Sequence, residues 1–285
     1  MSPTFDATTT ASELAAHYAA QIKGKVVLTT GVSPRGLGAT FVLAIAKAQP
    51  SLLILAARNP SKAKQTARDI ETASPGVKTQ IVELHSDSLA SARAAATTVL
   101  SWANVPVIDV LVNNAGIMAT DYKLSPDGFE SQFATNHLGH FLFTNLIMDK
   151  LLAAEAPRIV NVSSDGHRLG HNGKTYNKWT AYGQSKTANM LFSISLAKKL
   201  GSKRLLSHSL HPGCEFKWKS ADQGAATHVF AAFEPSLKDN NGAYLENSHV
   251  ADPNVETVKP WGTSPTEAKR LWKLSEKLVG QEFKY

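Results

Sequence analysis

The chain holds one cysteine, Cys214, among 285 residues, so no internal disulfide can form and nothing ties its folding to an oxidising compartment. A reducing, cytoplasmic setting is the expectation. No apolar run approaches the roughly 20 residues that a membrane-spanning helix needs. The first 24 residues, rich in Thr and Ala with a lone Lys23, lack the basic start and apolar centre of a signal peptide. Basic blocks are missing as well. The formal charge of +7 is spread along the chain, with no five-residue basic cluster, zinc-finger spacing or RNA-binding signature. Charge alone leaves nucleic acid, an anionic surface and an anionic cofactor open; the missing signatures turn the expectation away from nucleic acid.

Metal-ligand sets are equally scarce. His167 with His171, and His208 with His211, have usable spacings, but no cysteine or carboxylate completes a set, and no metal is expected. A phosphate loop of the kinase type is excluded, because Leu37 and Gly38 stand after Gly36 where Lys and Ser or Thr would be required.

What is present is a regular alternation of apolar runs with segments of helical period. The runs 25–30, 51–57, 77–84, 107–112, 157–163 and 205–211 predict six strands; helices are expected near 37–48, 61–73, 88–103, 129–153 and 180–200. Strands this continuously apolar suit a sheet covered on both faces, and right-handed crossovers then give an α/β, doubly wound (Rossmann) parallel sheet. With no linker or repeat, residues 24–285 read as a single domain. Residues 1–23 read as a helical arm, in which Thr10 and Glu13 have capping-box spacing.

Three stretches carry chemistry. Gly31, Ser33, Arg35, Gly36, Leu37 and Gly38 follow the first strand and open the first crossover helix, where glycines let backbone approach a pyrophosphate and free N–H groups hold it. Arg58 ends the second strand where an acidic residue would accept the ribose hydroxyls of NAD. A guanidinium there, with Arg35, suits the 2′-phosphate of NADP(H) instead. Asn113, Asn114, Ala115 and Gly116 follow the fourth strand, and their small size lets a flat cofactor lie over the strand ends. Finally, Tyr182 and Lys186 stand four apart on a helix and share a face. A free phenol titrates near pH 10, and a cation within about 4–6 Å brings it toward neutrality, where it can pass protons.

Glycine turn, Asn-Asn-Ala-Gly, a strand ending in Ser163-Ser164, then Tyr-x-x-x-Lys: in this order the chain resembles the short-chain dehydrogenase/reductase family over residues 24–213. The resemblance implies that Tyr182 passes the proton, Lys186 holds the nicotinamide ribose, Ser164 binds the substrate oxygen, and Asn136 supports the lysine through a water. Pro212 and Gly213 match the turn beside the nicotinamide. The stretch from Asn136 to Phe141 and His211-Pro212-Gly213 resemble the retinol dehydrogenase and WW-domain oxidoreductase branch, which implies a lipophilic carbonyl or alcohol as substrate.

The chain departs from the family pattern at four places. Four residues separate Gly31 from Gly36 where three are usual; His85 replaces an aspartate that meets adenine, leaving Asp87 as a substitute. The segment after Gly213 is short, and a threonine that usually binds the carboxamide is missing. These departures predict an open, wet site. They also motivate two rival readings: a non-catalytic NADP(H)-binding or scaffold protein, and an epimerase or dehydratase of the same fold. Trp261, Trp272 and Phe283 read as core or pocket wall. The oligomeric state stays open, a homo-oligomer included.

Overall fold

Runs without polar alternation need apolar cover on both faces, and the chain supplies it. The computed structural model describes residues 5–169, 175–213, 219–254 and 258–285. The six predicted strands form β1 (Val26–Thr30), β2 (Leu52–Ala57), β3 (Thr79–Glu83), β4 (Val110–Asn113), β5 (Arg158–Val162) and β6 (Leu206–His211). All pair in parallel, in the order β3-β2-β1-β4-β5-β6. Alternate residues serve opposite layers: Val27, Leu53, Leu55, Val112 and Val160 join one core cluster, Leu28, Ile54, Leu111 and Ile159 the other. Burying one such side chain contributes about 1.5–3 kcal/mol, so the sheet is stabilised from both sides.

Helices α1 (Ala11–His17), α2 (Leu37–Ala46), α3 (Pro60–Ala73) and α7 (Ala221–Phe233) cover the first face. The second is covered by α4 (Leu89–Ser101), α5 (Gly139–Leu146), α6 (Lys178–Leu200) and α8 (Pro265–Val279). The arm carries the expected capping box between Thr10 and Glu13. Its Leu14 and Tyr18 are buried in the cluster that holds Phe41 and Phe230, and Tyr18 Oη donates to Glu234 at 2.6 Å. Trp272 and Phe283 lie in the second cluster against Phe141.

Two strands extend the predicted sheet. β7 (Tyr244–Glu246) runs parallel to β6, and β8 (His249–Val250) returns antiparallel to β7. Runs of three and two residues are too short to show a period. The signal was the turn: Asn247 and Ser248 both take positive φ, as a two-residue hairpin loop requires. The helix expected over 129–153 is broken into a turn at Ser131–Phe133, a π turn at Ala134–Leu138, α5 and a short helix at Met148–Leu152. One cause is steric. A Cβ on Gly139 would overlap the Ser86 carbonyl, so the chain comes in at closest approach there, just past the π turn.

Candidate functional site

The strand order reverses between β1 and β4, and the carboxyl ends of both strands meet there. Gly31, with φ +75, leaves β1 so close to the next crossover that a Cβ would sit 2.7 Å from Ala115 Cα. A Cβ on Gly38 would sit 2.5 Å from Asn114 Nδ2 and 2.6 Å from the Gly31 oxygen. Asn114 Nδ2 in turn donates to the Thr30 and Gly31 oxygens at 2.9 and 3.1 Å. The extra residue of the turn is absorbed by Arg35, which takes φ +67 at a cost of roughly 1–2 kcal/mol for a side chain in that region. Gly36 opens α2 without a side-chain cap, so the first-turn N–H groups remain available.

Below this turn lies a cleft of about 370 Å³. Gly31, Ser33, Gly36 and Leu37 line it, with Arg58 after β2, Ser86 and Asp87 after β3, and Asn114, Ala115 and Gly116 after β4. The uncapped helix start and glycine-crowded floor fit a dinucleotide diphosphate. Arg58 is exposed at the rim with no carboxylate partner among the described residues. Arg35 is exposed on the same turn but is not part of the lining. His85 instead bonds Glu83 at 2.9 Å, while Asp87 lines the cleft.

Next to Gly116, beyond the residues that line the cleft, stand Lys186 and Tyr182. Lys186 is 4 % exposed, and its Nζ donates to the Val162 oxygen at 3.0 Å. No other acceptor among the described residues takes its remaining two N–H donors. Burial pushes its pKa down to about 8. Nζ lies 5.6 Å from the centre of the Tyr182 ring. A Cβ on Gly166 would be 2.9 Å from Tyr182 Cε1 and 3.3 Å from Ser164 Oγ, so ring and hydroxyl flank one point. Ser164 Oγ accepts from Gly166 N at 3.0 Å, which leaves its own proton to donate.

Asn136 reaches the same place from the π turn. Its Nδ2 donates to the Ile117 oxygen at 2.9 Å and to Ser185 Oγ at 2.8 Å; its Oδ1 accepts from Ile117 N at 2.8 Å. A Cβ on Gly116 would lie 3.1 Å from that Oδ1 and 3.4 Å from Lys186 Nζ.

Asn113 is not brought in. It is 1 % exposed, and its Nδ2 bonds Thr144 Oγ1 and Asn161 Oδ1, tying β4 to α5 and β5. Pro212 and Gly213 follow β6, and a Cβ on Gly213, with φ +97, would meet Lys219 Cδ at 2.5 Å. Cys214, the segment 214–218 on which the open-site expectation rests, and His171 lie outside the described residues. His208 Nε2 bonds the Asn240 oxygen, and His211 Nδ1 accepts from Asp165 N. Thr30 was missed as a site residue although it precedes Gly31: it lines the cleft and accepts from Asn114 N and Ala115 N.

A glycine turn at the switch point, with a buried lysine beside a tyrosine next to Gly116, defines a doubly wound α/β protein of the dinucleotide-binding type. The chain belongs to the short-chain dehydrogenase family, whose family model matches residues 25–215. Members of this oxidoreductase family use nicotinamide cofactors. The chain is 36 % identical to short-chain dehydrogenase TIC 32 A, chloroplastic, from Brassica napus, covering 89 % of this chain and 88 % of that one. It is 34 % identical to human retinol dehydrogenase 11, covering 91 % and 87 %. Among solved structures, an uncharacterized protein from Mycobacterium paratuberculosis superposes with a TM-score of 0.77 at 32 % identity, covering 94 % and 98 %. A short chain dehydrogenase from Escherichia coli CFT073, described as complexed with NADPH, shares the fold with a TM-score of 0.68 at 21 % identity, covering 80 % and 98 %.

Proposed function

We propose that the protein interconverts an alcohol and a carbonyl on a lipophilic small molecule with NADP(H), using Tyr182 as proton carrier. One observation carries the reading: a buried Lys186 ammonium beside the Tyr182 ring, with the Ser164 hydroxyl across Gly166, next to Gly116 of a cleft that begins at an uncapped helix.

Gly31, Ser33, Gly36, Leu37 and Gly38 would hold the diphosphate, Arg58 and Arg35 the 2′-phosphate, and Asn114, Ala115, Gly116, Pro212 and Gly213 the rest of the dinucleotide. Asn113 would act from beneath, by fixing the strand that carries Asn114. Bound NADP(H) supplies or takes up the hydride. Ser164 donates a hydrogen bond to the substrate oxygen, keeping its own proton, and polarises it. Tyr182 gives its phenolic proton to that oxygen in reduction and takes it back in oxidation. The two spare N–H donors of Lys186 suit ribose hydroxyls, and its charge favours the phenolate. Asn136 keeps Gly116 and α6 in register beside the lysine. Exposed Met118, two residues after Gly116, and exposed Trp179, three residues before Tyr182, support an apolar substrate. With a single cysteine, the reading keeps a cytoplasmic location; the chloroplastic relative makes subcellular fractionation the test.

Among the described residues no helix is long and apolar enough to cross a membrane. The decisive measurement is NADPH oxidation with a panel of lipophilic aldehydes and ketones, comparing the native chain with Tyr182→Phe. Turnover lost at least a thousandfold with NADPH affinity retained supports the assignment, and undiminished turnover refutes it. Tight NADPH binding with no oxidation by any carbonyl would instead favour a non-catalytic binder.

A further inference from the structure

Thr30 Oγ1, on the last residue of β1, has three polar neighbours: Asn114 N at 3.0 Å, Ala115 N at 2.9 Å and His140 Nε2 at 2.9 Å. A hydroxyl offers two lone pairs and one proton. Both amide groups can only donate, so they take the lone pairs, and the proton is left for His140 Nε2. That nitrogen must accept and is bare. The other ring nitrogen, Nδ1, lies 3.2 Å from the Asn136 carbonyl oxygen, which can only accept, so Nδ1 carries the proton. One tautomer satisfies every partner, and it is neutral. A second proton on Nε2 would face an oxygen whose lone pairs are engaged. Burial, at 2 % exposure, and the charge of Lys186 act in the same sense, holding the ring's pKa down to about 4.

The two partners of this imidazole belong to different parts of the site. Thr30, Asn114 and Ala115 line the cleft. Asn136 stands in the π turn, where the backbone bonding shifts by one residue, Gly139 N donating to the Ala134 oxygen. Its side chain is spent on Ile117 and Ser185, and Ser185 Oγ donates to the Tyr182 oxygen at 2.7 Å. From the cleft floor the bonds therefore run through His140 to Asn136, and from Asn136 to the helix that carries Tyr182 and Lys186.

We propose that His140, in its Nδ1–H tautomer, is a positioning residue that sets the distance between the cofactor floor and Asn136 beside Lys186. Its effects on turnover and on NADPH affinity rest on the function proposed above; its tautomer does not.

The tautomer is read directly by 15N NMR of the full chain labelled at histidine. A resonance pair with Nε2 unprotonated and Nδ1 protonated, unchanged from pH 8 to 5, is expected for His140, identified by its loss in H140Q. A protonated Nε2 would overturn the proposal. Thr30→Val, which removes the hydroxyl donor, should leave the Nδ1 proton in place on the Asn136 oxygen and shift the Nε2 resonance to that of a bare nitrogen without a hydrogen bond, whereas Thr30→Ser should leave it unshifted; an Nε2 resonance indifferent to Thr30→Val would overturn the proposal. For function, H140L should weaken NADPH binding and lower kcat, each about tenfold. H140Q, whose amide offers an acceptor and a donor spaced much like the ring nitrogens, should recover most of both. A purely structural role predicts instead that H140L and H140Q lose Tm together, with Kd and kcat unchanged below the melt, and that outcome also overturns it. If H140L fails to fold, the Thr30 pair and the native-chain spectrum still decide. If no substrate is found, the spectrum and NADPH Kd decide without turnover.

Discussion

The two ends of the candidate site are built differently. At the glycine-turn end, contact is made by main chain: Gly31 on Ala115, Gly38 on Asn114, and an uncapped helix start, with Arg58 and Asp87 the charged side chains of the lining. At the tyrosine end, Ser164 follows β5, Tyr182 and Lys186 stand on α6 and Asn136 in a π turn, and hydrogen bonds set the geometry: Ser163 Oγ donates to the Lys186 oxygen, Ser185 Oγ to the Tyr182 oxygen, Lys186 Nζ to the Val162 oxygen and Asn136 Nδ2 to Ser185 Oγ. The first end tolerates almost no added atom; the second tolerates almost no lost hydrogen bond. Substitutions should therefore separate binding from chemistry.

The largest effect expected is at the main-chain end. Gly38→Val adds atoms where even a Cβ would lie 2.5 Å from Asn114 Nδ2 and should raise the NADPH Kd at least a hundredfold, read by fluorescence titration, with a fall in Tm of several degrees. Unchanged affinity would erase the contrast between the ends. Next, Arg58→Asp should shift the NADPH-to-NADH affinity ratio at least tenfold toward NADH while leaving kcat for the better-bound cofactor within a few-fold.

Acid stability adds a property of neither end, because the packed interior holds His137, His140, His208 and His228 with pKa values lowered by burial to about 3, 4, 4 and 4. Unfolded, each would take a proton near pH 6.5; folded, each waits until about pH 3 to 4. Between those values the unfolded chain binds more protons, so stability falls as pH drops from about 6.5 to 4, by several kcal/mol in sum. Urea midpoints measured across that window should fall steadily, and flat midpoints would mean that the imidazoles are already charged. The smallest effect is remote: Tyr18→Phe removes a bond to Glu234 and should cost about 1 kcal/mol of stability without altering kinetics.

The difference between the ends also explains what could be read from the chain. Strands β1 to β6 announce themselves because burial on both faces demands unbroken apolar runs, and the glycine turn does so because contiguous residues meet the ligand with their own backbone. Tyr182 and Lys186 are visible through a helical spacing. Asn113 misled because residue type and neighbourhood agree with Asn114 while the pleat of β4 turns its side chain into the sheet. Thr30 and His140 were not singled out, since a hydroxyl's role as acceptor on one side and donor on the other exists only once residues 84 and 110 positions apart are brought together. The π turn escaped for a similar reason: helical period persists through it, and the steric approach at Gly139 to Ser86 is a tertiary event.

Strand β8 has a consequence for chains that open under stress. A sheet whose outermost strand is long and bare invites a foreign strand to zip onto it; here the margin beyond β7 is a two-residue ribbon of reversed direction, closed back by Ala251 N donating to the Tyr244 oxygen at 2.9 Å. The hairpin thus works as a hem along that margin, and misassembly through sheet growth would have to begin at the β3 side instead.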